Sequence, residues 1–229
     1  MSNLFSPNNP LMRGLSSIAN LLVLSCLWVI FSIPVLTLGP ATAALYCVIQ
    51  KMINGENPPL LRSFWKSFRE NLKQGTVLTL IFGAAAALMC YDYLFSYVVE
   101  ASLGKILRIV FIVLAAVWLI LVCYTFPLQA QFQNTIKNTL KNALLLSLIH
   151  LGKTVQLVLL HLIPVAVCLA LPELFTRLLP LWLFGAPSLI AYFATLRMNK
   201  VWLSLRAQAQ GGMPPAEEEL PAAEAPDVL

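Results

Sequence analysis

The side chains that could do chemistry in this chain are few and scattered. Cys26, Cys47, Cys90, Cys123 and Cys168 share no paired spacing, so they read as buried thiols and not as metal ligands or a disulfide framework. His150 and His161 would share a face on a continuous helix, but at about 16 Å apart they could not hold one metal. Asp92 is the one acid close to the interior of an apolar run. An acid inside a membrane is a functional-site candidate by default, yet Tyr91, Tyr93 and Tyr97 around it form an aromatic belt of the kind that sits at the interface and would leave it wet. The sequence has no glycine-rich phosphate loop, nucleophile elbow or zinc-protease motif. The expectation is a non-enzymatic protein with no metal and no cofactor.

The elements that hold these residues follow from the charge map. No Asp, Glu, Lys or Arg occurs from Gly14 to Gln50, Gln74 to Tyr91, Ile109 to Ile136, Thr154 to Pro172, or Leu178 to Leu196. About 20 apolar residues cross the roughly 30 Å hydrocarbon core of a bilayer. With 59% hydrophobic and 11% charged residues and a mean hydropathy of +0.79, the chain lacks the charges a soluble surface of this size would need. The reading is an all-α, polytopic transmembrane bundle of five spans. These run from about Leu15 to Leu38, Gly75 to Val98, Lys105 to Leu128, Thr154 to Pro172 and Leu178 to Leu196. Arg13 is the only basic residue ahead of the first apolar run. That run is too long for a signal peptide and lacks a small-residue cleavage site, so it reads as a retained span. Pro34, Pro127, Pro164 and Pro187 fall within or near the spans, where proline kinks serve packing first and a pathway second.

Positive charge sets the orientation. With the N-terminus outside, the inner segments hold eleven basic residues: Lys51, Arg62, Lys66, Arg69, Lys73, Lys137, Lys141, Lys153, Arg197, Lys200 and Arg206. Only four remain outside, namely Arg13, Lys105, Arg108 and Arg177. Such a bias places the C-terminus in the cytoplasm. The net charge of +5 therefore points to anionic lipid headgroups and not to nucleic acid. Residues 1–206 form the membrane domain. Residues 207–229, acidic and rich in proline and alanine, read as a disordered cytoplasmic tail.

Between the first two spans, Gly39-Pro40-Ala41-Thr42-Ala43-Ala44-Leu45-Tyr46 reads as a helix start with small residues for close packing. After the Asn54–Pro59 break, Leu61, Phe64, Trp65, Phe68 and Leu72 share one helical face and Arg62, Lys66, Arg69, Glu70 and Lys73 the other. This predicts an amphipathic helix at the cytoplasmic interface. Phe132, Ile136 and Leu140, with Lys137 and Lys141, repeat that spacing after the third span. The pair is either an internal duplication in parallel orientation or two basic interfacial helices of similar composition. The basic side chains, with Ser67, Asn71, Asn138 and Asn142 between them, form a candidate surface for partner docking or for lipid.

The segment from Ile33 to Tyr46 resembles the signature near the start of the YesL-type bacterial membrane proteins, a family of unknown function. The runs Ser63 to Gln74 and Asn138 to Leu146, and Tyr192 with Asn199 and Lys200, resemble the same family, over about residues 4 to 205. The resemblance marks Pro34, Gly39, Pro40, Ala41, Thr42, Ala44 and Tyr46 as family-motif positions of structural character, and supplies no catalytic residues. It implies a multi-pass protein of the bacterial cytoplasmic membrane, encoded beside carbohydrate ABC importers and two-component sensors. The functional expectation is an accessory or regulatory subunit working with such an importer or sensor. The alternative is a permease for a neutral solute.

Overall fold

The computed structural model describes residues 10–98, 101–132 and 134–209, all of whose regular elements are helical. They are α1 (Pro10–Ser32), a 3-10 turn (Val35–Thr37), α2 (Leu38–Ile53), α3 (Leu60–Phe95), α4 (Ala101–Gln131), α5 (Ile136–Ile149), α6 (Leu151–Ala170), α7 (Pro172–Arg177) and α8 (Leu179–Ala209). The charge-free runs are helical over most of their length, and many of their large apolar side chains stay on the outside: Leu88, Ile109, Ile112, Leu169 and Leu181 are all exposed. A water-soluble fold would bury such a surface; a bilayer covers it. The tail prediction falls mostly outside the described residues, since α8 runs to Ala209 and 210–229 are not described.

Among the described residues six helices, not five, are long and apolar enough to cross a membrane, and the additional one covers Val35–Ile53. The first span stops at Ser32 and not at Leu38, because Pro34 lacks an N–H and restricts Ile33 to extended backbone. Thr37 then closes the turn, its hydroxyl donating to the carbonyls of Phe31 (2.6 Å) and Pro34 (2.7 Å). More than half of the Val35–Ile53 stretch is buried, against less than a third of each other candidate, so α2 is wrapped by protein.

Its direction follows from its partners. Gly39 at its start packs on Gly75 and Thr79, well along α3, while Asn54 at its end turns into the loop that begins α3. The two are therefore antiparallel. Gln50 bonds Asn199 of α8, and earlier in α8 Ser188 bonds Ser25 of α1. Later in α1, Phe31 lies against Phe64 and Phe68 near the start of α3. Taken in order, α1, α2 and α8 all run toward the Asn54–Pro59 end. The chain thus comes down α1, doubles back through residues 33–37, and descends again as α2. In that arrangement α2 runs parallel to α1 as a re-entrant helix, and α1, α3, α4, α6 and α8 are the other five helices long and apolar enough to cross a membrane.

The amphipathic segment is not a separate helix. Nothing between Leu60 and Phe95 interrupts the hydrogen bonding, so α3 is one rod of 36 residues, about 54 Å long. Its return partner α4 is antiparallel: Gln129 donates to the Asn71 carbonyl and Trp118 to that of Phe82. The proposed second amphipathic copy is also corrected, because Phe132 lies beyond the end of α4 and the next helix starts only at Ile136. Thr135 caps that start, its side chain accepting from the Asn138 N–H. His150 ends α5, so the two histidines do not share a continuous helix.

The main core gathers Leu24, Ala41, Ala44, Val48, Phe64, Tyr124, Met198 and Trp202 from five helices. Ala41 and Ala44 are fully buried, as small residues at close helix contacts are.

Candidate functional site

Three features occupy the interior and the basic end. The first is the set of basic faces. Arg62, Lys66, Arg69 and Lys73 are exposed along the first half of α3, and Lys137, Asn138 and Lys141 along the start of α5. Lys66 pairs loosely with Glu70 at 4.0 Å, and Arg69 lies 6.0 Å from the Trp65 ring centre. Ser67 is buried, however, and Asn71 turns inward to donate to the Ser67 carbonyl at 2.9 Å. Asn142 is half-buried beside Leu128, Phe132 and Leu146. The candidate docking surface is thus reduced to the basic side chains with Asn138, since Ser67 is buried and Asn71 half-buried.

Just inside this end lies a hydrogen-bonded amide network that sequence reasoning missed. Gln50, 1% exposed, donates to the side-chain carbonyls of Asn199 (2.6 Å) and Asn54 (3.1 Å). It accepts from Gln131 at 3.3 Å, and Arg206 donates to Gln131 in turn. The network ties α2, α4 and α8 together. No local spacing announces it, because Gln50, Gln131 and Asn199 stand on three different helices. Beside it, a polar vestibule of about 590 Å³ opens between α2, α3, α4 and the segment before α5, with Asn71, Gln74, Gln129, Gln131 and Asn134 in its wall.

On the other side of α2 is an apolar cavity of about 420 Å³, lined by Trp28, Thr42, Tyr46, Phe126, His161 and Pro164 among others, with Pro187 also in its wall. Its polar groups are largely engaged. The Trp28 indole donates to Thr42 Oγ1 at 3.0 Å, Thr42 donates to the Leu38 carbonyl at 2.7 Å, and Tyr46 Oη lies 3.5 Å from His161 Nε2. Among the described residues no ionisable group other than Tyr46 and His161 lines it. Of the other motif positions, Pro34 precedes the 3-10 turn, and Gly39 and Pro40 form the α2–α3 contact. Asp92 is exposed near the end of α3, beside the Tyr93–Tyr97 hydrogen bond of 2.7 Å. Among the described residues no group of His, Cys, Asp or Glu could hold a metal ion.

Comparison with known proteins bears on the whole arrangement. Residues 21–93, from the second half of α1 almost to the end of α3, match the family described as a protein of unknown function, DUF624. The chain is 28% identical to the uncharacterized protein YteU of Bacillus subtilis (strain 168) over 193 residues, 82% of each chain. It is 27% identical to the uncharacterized protein YesL of the same organism over 127 residues, 54% of this chain and 59% of that one. No solved structure gives a significant match. The resemblance carried by the sequence motifs is borne out: the chain is an all-helical protein of membrane character, similar to YteU and YesL and carrying the DUF624 pattern over residues 21–93.

Proposed function

We propose that the chain is a non-enzymatic accessory or regulatory subunit of the bacterial cytoplasmic membrane. Its N-terminus lies outside, its C-terminus inside, and it works with a carbohydrate uptake or sensing system. The observation that carries this reading is the continuity of α3. Its first half presents Arg62, Lys66, Arg69 and Lys73 to the exterior, and the same unbroken helix continues through the bundle to Phe95. A partner that pulls on the basic face would therefore move a spanning rod, which Gly39 and Pro40 couple to the re-entrant helix. The bias of positive charge supports the orientation; the carbohydrate association is what the motif resemblance implies.

Affinity purification from native membranes after mild crosslinking tests the reading. Replacing the four basic residues of α3 with Gln should abolish recovery of the partner while the protein still folds. Exchanging Lys for Arg and Arg for Lys would preserve attraction to lipid, worth about 1 kcal/mol per residue, but should weaken a protein contact that depends on side-chain geometry. Unchanged recovery in the Gln variant would overturn the docking reading.

A second reading, a permease for a neutral solute, is favoured by one observation. The proline-bearing helices α6 and α8 place Pro164 and Pro187 in the wall of the uncharged cavity, where kinked helices of transporters line a pathway.

A further inference from the structure

We propose that the polar vestibule at the basic end is a binding site for a small, neutral, polyhydroxylated molecule of the sugar or polyol class. The reading goes beyond docking, since it requires no partner protein and uses none of the exposed basic side chains.

The wall is unusual for a chain with so few polar residues. Five side-chain amides converge there, Asn71 and Gln74 from α3, Gln129 and Gln131 from α4, and Asn134 from the segment before α5. Gln129 carries the argument. It is 4% exposed, and its Nε2 donates to the Asn71 backbone carbonyl at 3.3 Å. That partner fixes the amide orientation, because the reverse would set two carbonyl oxygens against each other. Gln129 Oε1 is then a buried acceptor with no donor, which native interiors rarely leave unexplained.

The missing group must therefore bring a donor. Charge narrows its class. Among the described residues no Lys or Arg lines the vestibule and Glu70 is its one carboxylate, so phosphate or a carboxylate ligand would meet no compensating charge. Hydroxyl groups both donate and accept, as amides do, and several hydroxyls on one ring match several amides around one space. Phe132 in the same wall offers an apolar face for the C–H surface of such a ring. A volume of about 590 Å³ lies in the usual range for small-molecule sites and accommodates a mono- or disaccharide.

The experiment uses the purified full-length protein in nanodiscs of neutral lipid, with thermal unfolding followed by tryptophan fluorescence during titration with glucose, maltose or glycerol. Sodium phosphate is the comparison. Because sugars stabilise proteins non-specifically by exclusion from their surface, the expected result is a saturable rise in midpoint with at least one of the three and none with phosphate. Gln129→Leu should weaken that saturable response about tenfold or more. Asn134→Ala, at a half-exposed position, should weaken it without threatening the fold. Absence of a saturable response to all three compounds would overturn the proposal. So would a response undiminished in both variants, or one strongest with phosphate. No partner is present in this assay, so its failure is distinct from failure of the docking reading.

Discussion

Gly39 and Gly75 meet across the α2–α3 contact with no room for a side chain on either. A Cβ on Gly39 would lie 2.5 Å from the Gly75 carbonyl oxygen, and one on Gly75 would lie 2.8 Å from the Pro40 ring. The Gly39 N–H also donates to Thr79 Oγ1 at 2.9 Å, so the start of α2 is satisfied by α3 inside the bundle. This contact buries α2 against α3 from Gly39 onward, directly after a turn whose Ile33, Val35 and Leu36 are exposed.

Gly39→Ala and Gly75→Ala should each destabilise the bundle, by roughly 1–3 kcal/mol if the overpacking is relieved only partly. Gly83→Ala, where a Cβ would meet nothing within 4 Å, should be neutral or slightly stabilising. Thermal unfolding in detergent checks all three. Equal midpoints for the three variants would contradict the close contact.

The amide network gives a second expectation. Gln50→Leu would leave Asn199 and Gln131 without their shared partner. A loss of about 1–3 kcal/mol follows from stranding a buried polar group. The double variant Gln50→Leu with Asn199→Leu should recover part of it, and a double-variant cycle measures the coupling.

His150, at the junction of α5 and α6, offers a pH test. Burial, and secondarily the charge of Lys153, hold its imidazole below the usual histidine range. Protonation is thus harder in the folded state than in the unfolded one. The resulting contribution to stability is full at neutral and alkaline pH and is lost as pH falls through the ordinary imidazole range toward the depressed value. Measured across pH 7.5 to 5.5, wild type should lose more stability than His150→Gln; parallel curves would contradict the assignment. The pH range spans the ordinary imidazole value of about 6.5.

How much of this was legible in the sequence can be judged residue by residue. Missing charges located α3, α4, α6 and α8 because a bilayer-facing helix cannot hide Lys or Glu, and that constraint is local. The helix start at Gly39-Pro40 was also visible, but its depth was not: a glycine, a proline and alanines look alike whether they open a surface helix or one packed on Gly75. Ser67 and Asn71 were misplaced because they lie on the border between the apolar and basic faces of α3, where only the packing of α4 decides which way they turn. Gln50, Gln131 and Asn199 were invisible as a group, since each is an ordinary polar residue until three helices converge.

The direction of α2 is the central claim, and thiol labelling in intact cells tests it most directly. In a cysteine-free background, single cysteines at Asn9, Asn57 and Glu173 would be exposed to a membrane-impermeant reagent. The account predicts labelling at positions 9 and 173, and none at position 57 until the membrane is broken, because α1 and α2 descend toward the same end and α2 adds no crossing. Labelling of 9 and 57 alike in intact cells would make α2 a full sixth span and contradict the account.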